Sequence, residues 1–273
     1  YDDPNAVLGR PAIWCINDDP KIVDPTFRVK LVEGAYNTDL NGQRVITTIN
    51  PGAYITVKFD HKVVDFPGNP YGQDFIVFGN SAFKVQLQEG QYVGDAMDLN
   101  ALLLTFPADV TFEQVHVSVS QDGHTWYAFE NGPWADDVYP TQAYEWDRDN
   151  AQWTDQEMDF TRPVDPALGL TAFNGISAAD AIDLYSGSGG GTPYDLQDLD
   201  HYEQLMADPN TGFRWIQYVR LDGGQGIFAT GGEVDAVADV AVCGDPTHPF
   251  PPGDINRDCR VDLADFADFA SSW

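Results

Sequence analysis

The C-terminal stretch 253–273, GDINRDCRVDLADFADFASSW, sets oxygen-bearing side chains at a spacing that suits a metal ion. Asp254, Asn256 and Asp258 alternate, and Arg260, Asp262 and Asp265 follow at offsets of six, eight and eleven from Asp254. A loop with oxygens at positions 1, 3, 5, 7 (a carbonyl), 9 and 12 wraps calcium, a hard cation that takes about six to eight oxygen ligands. Here one short segment supplies them, Arg260 through its carbonyl. A helix is expected to follow, because Leu263, Phe266, Phe269, Ala270 and Trp273 fall on one apolar face. A lone helix cannot hide such a face, so it must pack on its own domain or on a partner.

These residues resemble one repeat of a type I dockerin, whose duplicated calcium loop–helix binds cohesin modules in extracellular polysaccharide-degrading assemblies. The resemblance covers about twenty residues and implies an EF-hand-like calcium loop–helix in a secreted protein. It departs from the pattern twice. Loop position 6, usually a Gly at positive φ, is Cys259, and only one repeat is present up to Trp273. Cys259 has a candidate disulfide partner in Cys243, across a Pro-rich stretch. That bridge would close about sixteen residues and contribute roughly 3 kcal/mol in the loop-entropy account. Cys15 is left over, either buried as an apolar residue or bonded between chains.

Carboxylates abound in the rest of the chain. Asp74, Asn80, Asp235 and Asp239 lie at strand ends or beside buried runs, and are candidates for a structural calcium in the body. Asp2, Asp3, Asp18 and Asp19 are rivals, and turn capping is the plain alternative. The five histidines, His61, His116, His124, His201 and His248, show no i, i+4 pair of a helical zinc site. The run SGSGGG at 186–191 lacks the Lys-Ser/Thr ending of a phosphate loop and reads as flexible. No residue set marks a catalytic nucleophile or acid–base pair. Trp134, Tyr139, Tyr144, Trp146 and Trp153 fall in a polar, Asp-rich, non-periodic segment. Flat rings stack on sugar faces while carboxylates accept hydroxyl hydrogens, so Trp134, Tyr144, Trp146 and Trp153 are candidate carbohydrate contacts. The same rings could instead staple their own long loop.

The elements that must hold these residues read as short strands. Positions 53–64 alternate, with Tyr54, Thr56 and Lys58 against Ile55, Val57 and Phe59. Positions 74–80, DFIVFGN, suit a strand buried on both faces. Val115, Val117 and Val119 alternate with polar residues up to the Asp122-Gly123 hairpin signal, and 125–129 returns. Weaker strands are expected at 27–36 and 43–49. Positions 213–221 and 233–242 also alternate, with Val234, Ala236, Ala238, Val240 and Val242 opposite Asp235 and Asp239. Ser177 with Asp180 caps a short helix to Tyr185, and 194–207 has helical character. Many short strands and few helices predict an antiparallel β-sandwich.

Three stations, S-x-D-G-x-x-W at 120–126, the strand EVDAVA at 233–238, and DFIVF with Asn80 and GTPYDL at 191–196, resemble bacterial secreted jelly-roll domains of the discoidin-like kind. The expected layout is a jelly-roll domain over 1–242, a Pro-rich linker over 243–252 and the calcium loop–helix over 253–273.

The formal net charge of -29, from 14 basic and 43 acidic residues, argues against nucleic acid and anionic membranes and favours cation binding. Aromatic content of 13 % is too high for disorder, and no apolar run suits a membrane span. The opening Tyr1-Asp2-Asp3-Pro4 lacks a basic-then-apolar leader, as expected of a mature secreted form. The expected protein is a calcium-binding extracellular or cell-surface module, non-catalytic, that binds carbohydrate or adheres to an extracellular polysaccharide. One alternative is a subunit that assembles with its own copies into a fibre or surface layer. The other is a polysaccharide-active enzyme with an acidic pair.

Overall fold

The computed structural model describes residues 3–16, 26–34, 38–88, 94, 97–224, 231–240, 242–257 and 259–271. In chain order the strands are β1 (Trp14–Ile16), β2 (Thr26–Arg28), β3 (Thr38–Asp39), β4 (Thr47–Ile49), β5 (Tyr54–Val64), β6 (Phe75–Gly79), β7 (Ala82–Phe83), β8 (Val110–Thr111), β9 (His116–Ser120), β10 (Tyr127–Ala128), β11 (Tyr144–Asp147) and β12 (Gln152–Glu157). Helix α1 (Ala178–Leu184) precedes β13 (Thr192–Tyr194), β14 (Trp215–Asp222) and β15 (Gly232–Asp239), and α2 (Leu263–Ser271) closes the chain. The protein is mostly β, as its pattern predicts. Among the described residues the weak pattern at 27–36 yields only the end of β2, and 43–49 only β4. The helical character at 194–207 resolves into two single turns, Leu196–Asp198 and Tyr202–Gln204.

Two four-stranded antiparallel sheets, β10-β9-β14-β5 and β13-β6-β15-β4, share one core. Ile55, Val57, Val117, Val119, Val219 and Leu221 enter it from the first sheet. Phe75, Val77, Tyr194, Val234 and Ile49 enter from the second. The alternation of β5 holds over its first half, with Ile55 and Val57 buried between exposed Tyr54, Thr56 and Lys58, and is lost at its end, where Val63 and Val64 are both buried. In β6 every residue is buried, because the second sheet is covered on its far side too. There Ile76 and Phe78 pack with Ala236, Val240 and Phe160.

Two register shifts revise the strand faces read from sequence. The pairing of β14 with β5 jumps from Ile216↔Val63 to Tyr218↔Lys58, with positions 59–62 of β5 opposite Gln217 alone, and across this irregularity Ile216, Val219 and Leu221 all face the core. A second shift, between Val234 and Ala236 in β15, turns Val234 to the sandwich core and Ala236 to the outer layer. In β15 one extra residue reverses the inward set beyond it, which alternation alone does not reveal. The Asp122-Gly123 turn forms as expected, with Asp122 Oδ1 accepting the N–H groups of His124 and Thr125 at 2.8 and 2.7 Å. Ser177 caps α1 by accepting the Asp180 N–H at 3.0 Å.

Candidate functional site

The tail loop buries its acids and exposes its apolar side chains. Asp265 is 3 % exposed, whereas Leu263 is 84 % and Phe266 66 % exposed. Asp265 Oδ1 accepts the N–H of Ile255 at 2.7 Å and of Asn256 at 3.2 Å, and Oδ2 accepts the N–H of Asp262 at 2.8 Å. These bonds hold the Asp265 carboxyl below the usual carboxylate range, the Asp262 N–H contributing most. Asp254, also buried, accepts the Cys259 N–H at 2.8 Å through Oδ2. The loop thus curls around positions 1 and 12. Asp262 starts α2 by accepting the Ala264 N–H at 2.7 Å. Asp258 lies outside the described residues, and Arg260 is exposed.

Cys243 and Cys259 form the expected disulfide, with Cα atoms 5.8 Å apart. Cys259 takes φ 69°, the left-handed conformation that position 6 requires, and Arg257 takes φ 61°. The bridge therefore fastens a strained turn to the chain just beyond β15. Cys15 is fully buried among Phe27, Val29 and Val45, so its thiol is not accessible for a bond to another chain.

The aromatic segment is corrected by its burial. Tyr144 and Trp146 are buried, at 9 % and 8 % exposure, and Trp153 is half-buried with its ring edge-on to Trp146 at 5.2 Å. They join β11 to β12 and fill the cores beneath, so they leave no open platform for a sugar ring. Tyr139 is buried as well and donates to the Leu168 carbonyl at 2.7 Å. Trp134 lines an open cleft of about 440 Å³ with Gln73, Asn131, Asp137 and Asp198. Its ring meets His116 edge-on at 4.5 Å.

The four body candidates do not converge. Asn80 lies at the far end of β6, and its amide donates to Glu233. Asp235 sits in the β15 bulge, fully buried, with Oδ2 lacking a hydrogen-bond partner. Burial drives its carboxyl well above the usual range. Asp239 joins His61 and His248 instead. His61 Nε2 lies 2.8 Å from Asp239 Oδ2, His61 Nδ1 2.5 Å from Asp60 Oδ1, and His248 Nδ1 3.8 Å from Asp239 Oδ2. Burial works against the His61 charge, but hydrogen bonds to Asp239 and Asp60 outweigh it and raise its pKa. This cluster of imidazoles and carboxylates brings the segment after β15 against β5 and β15.

Asp74 has different company. One oxygen from each of Asp65, Asp74 and Asp195 lies within 4.8 Å of the others. Burial, reinforced by the charges of Asp65 and Asp195, pushes the Asp74 carboxyl up to about 8. Burial also raises Asp195. Sequence reading missed Asp65, Asn69 and Asp195. Asp65 and Asn69 flank a visible turn, but Asp195 is remote in the chain, and no local spacing links it to Asp74.

No family model matches this chain, and no curated protein or solved structure matches it.

Proposed function

We propose that this protein is a calcium-binding, non-catalytic module of the cell exterior that binds carbohydrate or adheres through it. The observation that carries the calcium reading is the tail loop, whose most buried side chains are the acids at positions 1 and 12 of a calcium spacing while apolar neighbours face water. A folded segment ordered around carboxylates needs a cation more than it needs a core. The two sheets of four strands support a jelly-roll reading of the body, and 253–271 supports an EF-hand-like, dockerin-like loop–helix. For carbohydrate, the support is the Trp134 cleft, where one indole sits beside Asp137, Asp198 and Asn131. A glycan array probed with and without calcium should return hits that Trp134→Ala removes. An array without any hit in calcium would sink the carbohydrate half of this reading.

A second reading, assembly of copies into a fibre or surface layer, draws support from α2. Its face of Leu263, Phe266 and Phe269 is exposed, beside exposed Val261. Exposed apolar residues gathered on one short helix favour contact with another surface.

A further inference from the structure

Three carboxylates meet at one end of the sandwich without a cation among the described side chains. Asp65 directly follows β5, Asp74 directly precedes β6, and Asp195 directly follows β13. Asp65 and Asp74 are buried and Asp195 is half-buried. Among the described residues no Lys, Arg or His forms an ion pair with any of the three. The donors they do have are neutral. Gln197 Nε2 reaches Asp65 at 3.1 Å, and the Tyr202 hydroxyl donates to the other Asp65 oxygen. Asn69 Nδ2 and the Leu196 N–H each reach Asp74 at 2.9 Å, and the Gln197 N–H reaches Asp195 Oδ1 at 2.8 Å. Such bonds orient carboxylates but leave their mutual repulsion in place.

The second observation is independent of the acids. Asn69 is 94 % buried, since its exposure is 6 %, and its amide nitrogen is spent on Asp74 while its Oδ1 has no hydrogen-bond partner. A buried acceptor without a donor is rare and costly. No described donor reaches that oxygen, whereas a metal ion would satisfy the amide oxygen and the three acids together. The backbone closes in as well. Tyr71 and Gly72 are both left-handed, at φ 57° and 75°, and a Cβ on Gly72 would lie 3.2 Å from Asp195 Oδ2. The donor set is all oxygen, with three acids and one amide and no nitrogen or sulfur. That set selects a hard cation, and calcium tolerates irregular geometry where magnesium demands a near-ideal octahedron.

We propose that Asp65, Asp74, Asp195 and the Asn69 amide oxygen form a calcium site in the body of the protein, separate from the tail loop. The ion clamps the crossover from β5 to β6 onto the turn after β13. Because β5 belongs to one sheet and β6 and β13 to the other, it ties the two sheets together at that end. The two sites share no residue, so either can fail alone.

The test uses the full chain with the tail loop silenced by Asp254→Asn and Asp265→Asn, titrated with calcium chloride by calorimetry. One calcium per chain is expected to remain, and adding Asp195→Asn or Asp65→Asn should weaken it at least tenfold. A tail-silenced chain that binds no calcium overturns the body site and leaves the tail reading standing. Binding unchanged by both substitutions places the ion elsewhere and also overturns it. Conversely, if Asp195→Asn in a chain with its tail loop intact abolishes all calcium binding, the tail reading falls and the body site stands. Thermal unfolding separates a ligand from a merely structural residue. In chelator, Asp195→Asn should melt no lower than its parent, because one acid of a crowded group is gone. In millimolar calcium it should melt lower. Equal destabilisation in both conditions, including failure to fold in either, would refute the proposal.

Discussion

Asp136 shows at the scale of one residue how burial governs charge here. It is left-handed at φ 53° and lies over Gly79, where an added Cβ would fall 2.2 Å from its Oδ1. Its oxygens accept the N–H groups of Ser81 at 2.7 Å and Glu113 at 3.3 Å. Those bonds do not offset burial, which with the charges of Glu233 and Glu113 pushes the carboxyl up to about 8. A carboxyl whose folded pKa exceeds its unfolded value near 4 keeps its proton longer in the native state. Stability attributable to Asp136 is therefore full below about pH 4, falls as pH rises and levels off above about 8. Urea midpoints between pH 5 and 8 should drop more steeply for the native chain than for Asp136→Asn, and equal slopes would contradict the assignment. The Gly79 position needs the absence of a side chain, a requirement that the sequence DFIVFGN did not disclose.

At the scale of elements, the hairpin β11–β12 is a lid of aromatic rings folded inward. Trp146 packs in the core that also holds Tyr185 and Phe173, with Trp153 against its edge. Trp146→Ala should cost about 3–5 kcal/mol by chemical denaturation, the range for emptying a large aromatic site. An effect on glycan binding with stability unchanged would restore the sugar-platform expectation. The tail is the opposite case, an element with acids inside and rings outside. Asp254→Ala with Asp258→Ala should lower the calcium stoichiometry of the full chain by one ion in calorimetry, while an unchanged stoichiometry would place tail binding elsewhere. Legibility also differs between these elements. The calcium spacing and the Cys243–Cys259 pair are local and visible along the chain. The inward turn of Tyr144 and Trp146 is not, because a ring in a polar segment reads the same whether it faces water or a second core.

For the whole molecule, charge and apolar surface act against each other. A formal net charge of -29 repels copies of the chain, whereas the exposed α2 face favours contact. Divalent cations lower the repulsion at the sites they occupy. Light scattering of the full chain should therefore show monomers in chelator and larger species in millimolar calcium if the assembly reading holds. Monomers in both conditions would remove it. No described helix is long and apolar enough to cross a membrane.

By itself the sequence determined the strand-rich class, the both-faces burial of β6, the Asp122-Gly123 turn, the α1 cap, the disulfide and the inward-curled spacing of the tail. All but the disulfide, which spans sixteen residues, rest on neighbours a few residues apart, where periodicity and turn chemistry act directly. Tertiary structure decided which strand faces are buried beyond the irregular pairing of β14 with β5 and beyond the β15 bulge, because residues inserted between paired positions change the inward set without changing composition. It also decided the company of the acids. Asp74 meets Asp65 and Asp195, Asp239 meets His61 and His248, and Asp235 meets no hydrogen-bond donor for its Oδ2. Those groupings join residues remote in the chain, and the free energy of a buried carboxylate depends on what the fold brings within a few ångströms of it.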